Sequence, residues 1–244
     1  MEIRALEEMA ANAHVALNMM QYDGWLLRFS AGHTNRANSV SVLYPSTINI
    51  DEKIGYCERQ YRAQGLPCVF KLTDLDGELG TLLEKRGYRV VTPTDVMILD
   101  LPKMEMPEGE LVFTDRPAEE WLSAYFAFEG LTDPARQDIF RRMLEKVRVR
   151  TRYASVKQDG RIIACASSAE ERGYALLQNI VVNPEYRGRG FGRMTCRALL
   201  AEAAGAGAGH AYLQVVQSNT PAMRLYESLG FRKVYTYRYL KQGG

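Results

Sequence analysis

Cysteine, histidine and long apolar runs are all scarce in this 244-residue chain, and each scarcity closes off a class of protein. The four cysteines, Cys57, Cys68, Cys165 and Cys196, form no C-x-x-C pair, and His14, His33 and His210 are the only histidines. Those spacings predict reduced, packed thiols and no metal site. No uncharged apolar run approaches the roughly 18 residues of a membrane span. The opening MEIRALEEMAANAHVALNMM is acidic and amphipathic rather than signal-like, so a cytoplasmic protein without membrane association is expected. An excess of charge is missing too. The 31 Lys and Arg against 29 Asp and Glu leave a net +2, so no global field draws nucleic acid, and any anion site must be local.

What remains is the composition of a folded globular chain, 46% apolar and 25% charged, long enough for one large domain or two small ones. Prolines and charges concentrate in PKMEMPEGE (102–110), between two strand-like segments, which puts a seam near residue 105. The expected domains are therefore 1–105 and 106–244. After the seam the pattern reads as a strand at 111–115, helices at 117–128 and 133–147, and a hairpin across Gln158-Asp159-Gly160. An apolar strand (174–182), a Gly/Arg loop, a helix (192–204), a strand (211–216), a helix (220–229) and two strands within 231–239 follow.

The chain also repeats weakly at an offset of 143 residues: CVFKLTDLDGELGTLLEKRGYR (68–89) lies without a gap on AYLQVVQSNTPAMRLYESLGFR (211–232). Gly87 falls on Gly230, Tyr88 on Phe231, and the helical segment 51–64 on 194–207. Two related halves are expected. They differ at one place. Where the second half has NPEYRGRGFGR between strand and helix, the first has PSTINIDEKIGY, with one glycine and no arginine.

Glycines at 188, 190 and 192, after a strand and at the start of a helix, let consecutive N–H groups converge at the positive end of the helix dipole. With Arg187, Arg189 and Arg193 as mobile cations around it, this loop is a phosphate cradle. It has neither the G-K-[ST] of a P-loop nor the G-x-G-x-x-G of a dinucleotide fold.

Arg187-x-x-Gly190-x-Gly192 after LLQNIVV, followed by Asn219-x-x-Ala222-x-x-Leu225-Tyr226-x-x-x-Gly230-Phe231, resembles the GNAT superfamily of acyl-CoA N-acetyltransferases over residues 110–240. The first half resembles a truncated, degenerate copy, as in tandem GNAT proteins. The resemblance implies an α/β (α+β) fold with a mixed, mostly antiparallel central sheet flanked by helices. It implies acetyl-CoA as co-substrate, with the backbone of Ile180, Val181 and Val182 along the pantetheine arm. The N–H groups of Arg187, Gly188, Arg189, Gly190, Phe191, Gly192 and Arg193 fall at the pyrophosphate, and Asn219 contacts the cofactor. Tyr226 falls on the general acid.

Attack by an amine also needs a proton acceptor. Glu170 and Glu171, just before the cofactor strand, are the acidic candidates, while Gln178 and Asn179 can only hold a water. A rival reading acetylates Cys196 first. The acceptor wall is expected from Trp121, Tyr125, Phe128 and Glu129 facing Tyr235, Tyr237 and Tyr239, although burial explains the three tyrosines equally well. Trp25, Arg28, Arg36 and Asn38 would suit an anionic substrate if they faced the cleft. The expected function is transfer of an acetyl group to a primary amine of a small molecule or peptide in a ternary complex, by a monomer or homodimer. The alternative is a non-catalytic acyl-CoA-binding sensor, which would need the loop but not Tyr226.

Overall fold

The structure, a computed structural model, describes residues 3–242. They form helix α1 (Ile3–Ala13), strands β1 (Asn18–Tyr22), β2 (Trp25–Phe29) and β3 (Val40–Val42), helix α2 (Ile50–Arg62), strand β4 (Val69–Leu72), helix α3 (Gly77–Lys85) and the long strand β5 (Tyr88–Asp100). Then come β6 (Glu110–Thr114), α4 (Glu119–Glu129), α5 (Pro134–Lys146), β7 (Arg150–Gln158), β8 (Arg161–Glu171), β9 (Tyr174–Val182), α6 (Phe191–Gly205), β10 (His210–Val216), α7 (Thr220–Ser228) and β11 (Arg232–Gln242). Among the described residues no helix is long and apolar enough to cross a membrane.

The elements gather into two compact units. The first takes the chain as far as Asp95, the segment Asp138–Lys146 and the chain from Tyr235 onward; the second takes Val96–Gln137 and Val147–Val234. Each unit carries a mixed, mostly antiparallel sheet flanked by helices. In the first, the strands run β1-β2-β3-β4-β11, parallel only at β3–β4. In the second they run β10-β9-β8-β7-β6, parallel only at β9–β10. Each unit is completed by a segment from the other half of the sequence: β11 pairs with β4 from Arg238↔Leu72 to Lys241↔Val69, and the Val96–Asp100 end of β5 flanks β10.

This exchange explains the one element that differs from expectation. Two strands are predicted within 231–239, and one continuous strand is found. The run FRKVYTYRYLKQ holds no Gly, Pro, Asn or Asp to turn the chain, and its alternation carries Tyr235, Tyr237 and Tyr239 to one buried face.

The 143-residue offset is visible in the elements themselves, since α3 (Gly77–Lys85) shifted by 143 gives the bounds of α7 (Thr220–Ser228). Each of these helices starts on a short polar side chain, Asp76 and Asn219. Each unit has its own core. Trp25, Ile54, Tyr61, Phe70, Leu83 and Tyr88 fill the first, and Met97, Leu177, Leu199, Leu213, Tyr226 and Phe231 the second. Burial of such side chains stabilises by about 1.5–3 kcal/mol each before entropy is counted. The cysteines Cys57, Cys68, Cys165 and Cys196 are reduced and buried.

Candidate active site

In the second unit, β9 and β10 start as a parallel pair and then part. Their register runs from His210↔Tyr174 to Leu213↔Leu177 and stops, although β9 continues to Val182 and β10 to Val216. On the other side of β9 the pairing with β8 slips between Cys165 and Ser167, where Asn179 takes a positive φ of 56° and its Nδ2 donates to Ser167 Oγ at 2.9 Å. Such a bulge bends a strand and strengthens its twist. The consequence is an unpaired backbone edge along Ile180, Val181 and Val182, facing the gap where β10 has turned away.

Asn183 ends the strand and caps a short 3-10 turn, Pro184–Tyr186, accepting from Glu185 N. Gly188 (φ 75°) and Gly190 (φ 87°) then hold the left-handed conformation that an L side chain disfavours. A Cβ on either would meet no atom within 4 Å, so conformation rather than crowding calls for glycine there. Helix α6 begins on Gly190 without any side-chain cap, and the first helical bond to the cap is Met194 N to Gly190 O at 3.0 Å. The first-turn N–H groups therefore open onto the cleft, which is the arrangement that binds anions at helix N-termini.

The arginines are less mobile than the sequence suggests. Arg187 donates through Nε to Val182 O (3.2 Å) and through Nη2 to Phe128 O (3.5 Å). Arg193 donates to Ser228 Oγ at 2.7 Å, and the Arg189 guanidinium lies 5.3 Å from the Tyr186 ring centre. A guanidinium has five donors, so each retains capacity for a ligand while its position is set by the protein.

A cleft of about 630 Å³ joins these parts, with Ile180 to Val182 on one wall and Arg187, Gly188, Gly190, Phe191, Gly192 and Arg193 at one end. Asn219 and Tyr226, on and before α7, form the facing wall. Asn219 caps α7 by accepting from Ala222 N at 3.3 Å, which leaves its amide protons to donate. Tyr226 is buried against Phe231. Burial, helped by the neighbouring Cys196, pushes its phenol well above the ordinary value, so it keeps its proton across the physiological range. The Cys196 thiol is itself buried and pushed up to about 12, which makes it a packing residue rather than a thiolate nucleophile.

The structure gathers eleven of the cofactor and acid candidates into this one cleft; Arg189 stands outside its lining. It does not bring Glu170 or Glu171 there. Those residues pair with Ala175 and Tyr174 at the start of β9, about 16–20 Å of strand short of Ile180, where the cleft wall begins. Glu170 is bonded to Arg150 at 2.7 Å. Their place next to β9 in the sequence misled because an antiparallel neighbour meets a strand at its opposite end.

The carboxylic acid that does line the cleft is Glu129, the last residue of α4. The residue is exposed to solvent, and partial desolvation raises its pKa against the opposing pull of Arg187. It is expected from the sequence in the acceptor wall, but no motif spacing marks it as a base, since α4 places it through tertiary packing. Trp121 is a core residue, donating from Nε1 to Ala154 O at 3.1 Å. Tyr235, Tyr237 and Tyr239 are buried, with Tyr235 bonded to Glu7 and Tyr237 beneath Lys71. Asn38 serves its own loop, accepting from Ser30 N and Gly32 N. Among the described residues no cluster of three His, Cys, Asp or Glu side chains offers a metal site.

Comparison with known proteins agrees with this geometry. The family described as "Probable histone acetyltransferase Rv0428c C-terminal" matches residues 1–240. The chain is 27% identical over 246 residues to the uncharacterized N-acetyltransferase YobR of Bacillus subtilis, covering 98% of each. It is 39% identical over 84 residues to the [ribosomal protein bS18]-alanine N-acetyltransferase of Salmonella typhimurium, a match to 34% of this chain and 57% of that protein. The GCN5-related N-acetyltransferase of Kribbella flavida shares the fold, with a TM-score of 0.73 at 15% identity over 100% of this chain and 97% of that one. With its splayed strand, its glycine loop and a match along nearly its whole length, the chain belongs to the Rv0428c C-terminal acetyltransferase family, and so to the GNAT acetyltransferases.

Proposed function

We propose that the cleft of the second unit binds acetyl-CoA and that the protein transfers the acetyl group to a primary amine of a small molecule or peptide by direct attack in a ternary complex. One observation carries this reading: the open edge of β9, the uncapped N-terminus of α6 and Tyr226 line the same cleft. A cofactor-binding sensor needs the first two. Only an enzyme needs the third.

Acetyl-CoA supplies an activated thioester. In this reading the N–H groups between Arg187 and Arg193 hold the pyrophosphate, with Arg187 and Arg193 adding charge-assisted bonds. The Ile180–Val182 backbone pairs with the pantetheine amides as a strand edge pairs with a peptide, and the Asn219 amide donates to the cofactor. Tyr226 gives its proton to the departing sulfur. Its raised pKa does not disqualify it, because the burial that raises a phenol there also raises a thiol, as at Cys196. The two proton affinities move together.

Glu129, directly or through a water, is the proton acceptor for the incoming ammonium. Desolvation raises its pKa, which makes it a stronger base than a fully hydrated carboxylate. The partial likeness to enzymes named for acting on an alanine of a ribosomal protein supports a peptide amine as one acceptor class. The reduced, buried cysteines suit a cytoplasmic enzyme. The first unit is a degenerate copy of the second that retains the elements but not the chemistry, since Leu83 falls where Tyr226 stands in the second half.

The test is calorimetric titration with acetyl-CoA followed by thiol release over a panel of amines, amino acids and peptides. Binding with release on an amine is the expected result. Binding without release on any acceptor would move the protein to the sensor class, and no binding would contradict the reading.

A further inference from the structure

The first unit keeps a cleft of its own, of about 790 Å³, lined among others by Tyr44, Pro45, Ile50, Asp76, Glu78 and Leu82. Shifted by 143, these become Arg187, Gly188, Arg193, Asn219, Pro221 and Leu225, all of which line the cleft of the second unit. The two clefts are therefore counterparts, each set between a strand that outlasts its parallel pairing (β3 or β9) and the start of the next helix (α2 or α6). What happens to the anion position in the first one can be read from its hydrogen bonds.

Both units have a two-residue Asp-Gly hairpin turn with positive φ at both residues: Asp23 (42°) and Gly24 (79°) between β1 and β2, Asp159 (51°) and Gly160 (74°) between β7 and β8. In the second unit the last residue of β9, Val182, pairs with Ala164, four residues past Gly160. In the first, the last residue of β3, Val42, pairs with Trp25, immediately after Gly24. The turn is thus drawn back by three residues, about 10 Å of strand, and meets the loop after β3. Leu43 N and Tyr44 N both donate to Gly24 O at 2.9 and 3.0 Å. A Cβ at Gly24 would lie 2.6 Å from Tyr44 O, so the fit admits only glycine.

This places the Asp23 carboxylate in the loop. It accepts from Thr47 N (2.9 Å), Ile48 N (2.9 Å) and Thr47 Oγ1 (2.6 Å). Lys53, fully buried one turn into α2, pairs with it at 3.1 Å. Asn49 accepts from Asp51 N and Glu52 N and so caps α2, where α6 has no cap.

We propose that Asp23 is a built-in anion ligand: its carboxylate occupies, in the first unit, the backbone donors that the glycine loop of the second unit offers to a phosphate. The first cleft is thereby closed to phosphorylated ligands, and the chain takes one acyl-CoA. The Asp23 contacts stand on the first unit alone, whereas the single-cofactor consequence rests on the function proposed above.

The experiment is chemical rescue followed by thermal unfolding. Asp23→Ala vacates a carboxylate-sized space facing Thr47 N, Ile48 N and Lys53, and should lower Tm by about 5 °C or more. Sodium acetate at tens of millimolar should restore at least half of that loss, saturably, while sodium chloride at equal ionic strength should not. Asp23→Asn fills the space without the charge, so it should be less stable than wild type and indifferent to acetate. Wild-type protein should be unmoved by acetate and bind one CoA per chain. An unchanged Tm in Asp23→Ala, recovery in chloride as large as in acetate, or acetate rescue of Asp23→Asn would overturn the proposal. So would two CoA per chain. Because the rescue is read without cofactor, its failure leaves the second-unit site standing, and failure of acetyl-CoA binding leaves the rescue intact.

Discussion

Tyr226 and Asp23 show how differently single residues reveal themselves. Tyr226 sits inside a spaced motif, and its identity, helix and buried face are all legible in the sequence. Replacing it with phenylalanine removes a proton donor and little volume, so acetyl-CoA affinity should be kept while turnover falls by about 10² or more. Steady-state rates beside calorimetry check this, and a fully active variant would remove the role. Asp23 reads as an ordinary Asp-Gly turn, because its partners lie 24 and 25 residues away and only the pairing of β2 with β3 brings them close. Its hydrogen bonds and Lys53 hold its carboxyl well below the usual carboxylate range. A depressed folded-state pKa means stability that is complete above about pH 4 and lost as pH falls through the lower folded value. The acid-side decline of Tm should therefore be shallower in Asp23→Asn than in wild type below about pH 4.

At the scale of elements, one strand-loop-helix arrangement is used twice with opposite chemistry. The helices α3 and α7 are legible at the offset of 143 because hydrophobic spacing survives divergence. The loops before α2 and α6 diverge because nothing in the core constrains them. In the first unit Asn49 caps its helix, and Asn49→Ala should cost about 1 kcal/mol of stability, measurable by denaturant titration. In the second unit no cap is present, and the glycines leave the N–H groups to a ligand. Gly190→Asp puts a carboxylate at the head of α6 in a left-handed position that Asp tolerates better than most residues. It should leave the fold intact, which circular dichroism can verify, while abolishing acetyl-CoA binding. The splay of β9 from β10 is implied only by the family resemblance, since it depends on where the parallel pairing stops rather than on the composition of either strand.

For the whole molecule, the expected seam near residue 105 marks a change in composition, but the chain does not divide there in a simple way. The segments Asp138–Lys146 and the run from Tyr235 belong with the first unit. No local pattern announces this, because β11 alternates as well for one sheet as for another, and only its pairing with β4 assigns it. Deleting residues 235–244 should therefore unfold the N-terminal part of the sequence more than its neighbours. Hydrogen exchange should show lost protection in β4 with protection kept in β9, β10 and α6; uniform loss would contradict the division. The same architecture bears on function, since the second unit holds the whole of the proposed cofactor cleft. The most direct test of that claim is calorimetric titration of the intact chain and of Gly190→Asp with acetyl-CoA. One site per chain in the wild type and none in the variant is the expected result. Equal binding by both, or no binding by the wild type, would contradict it.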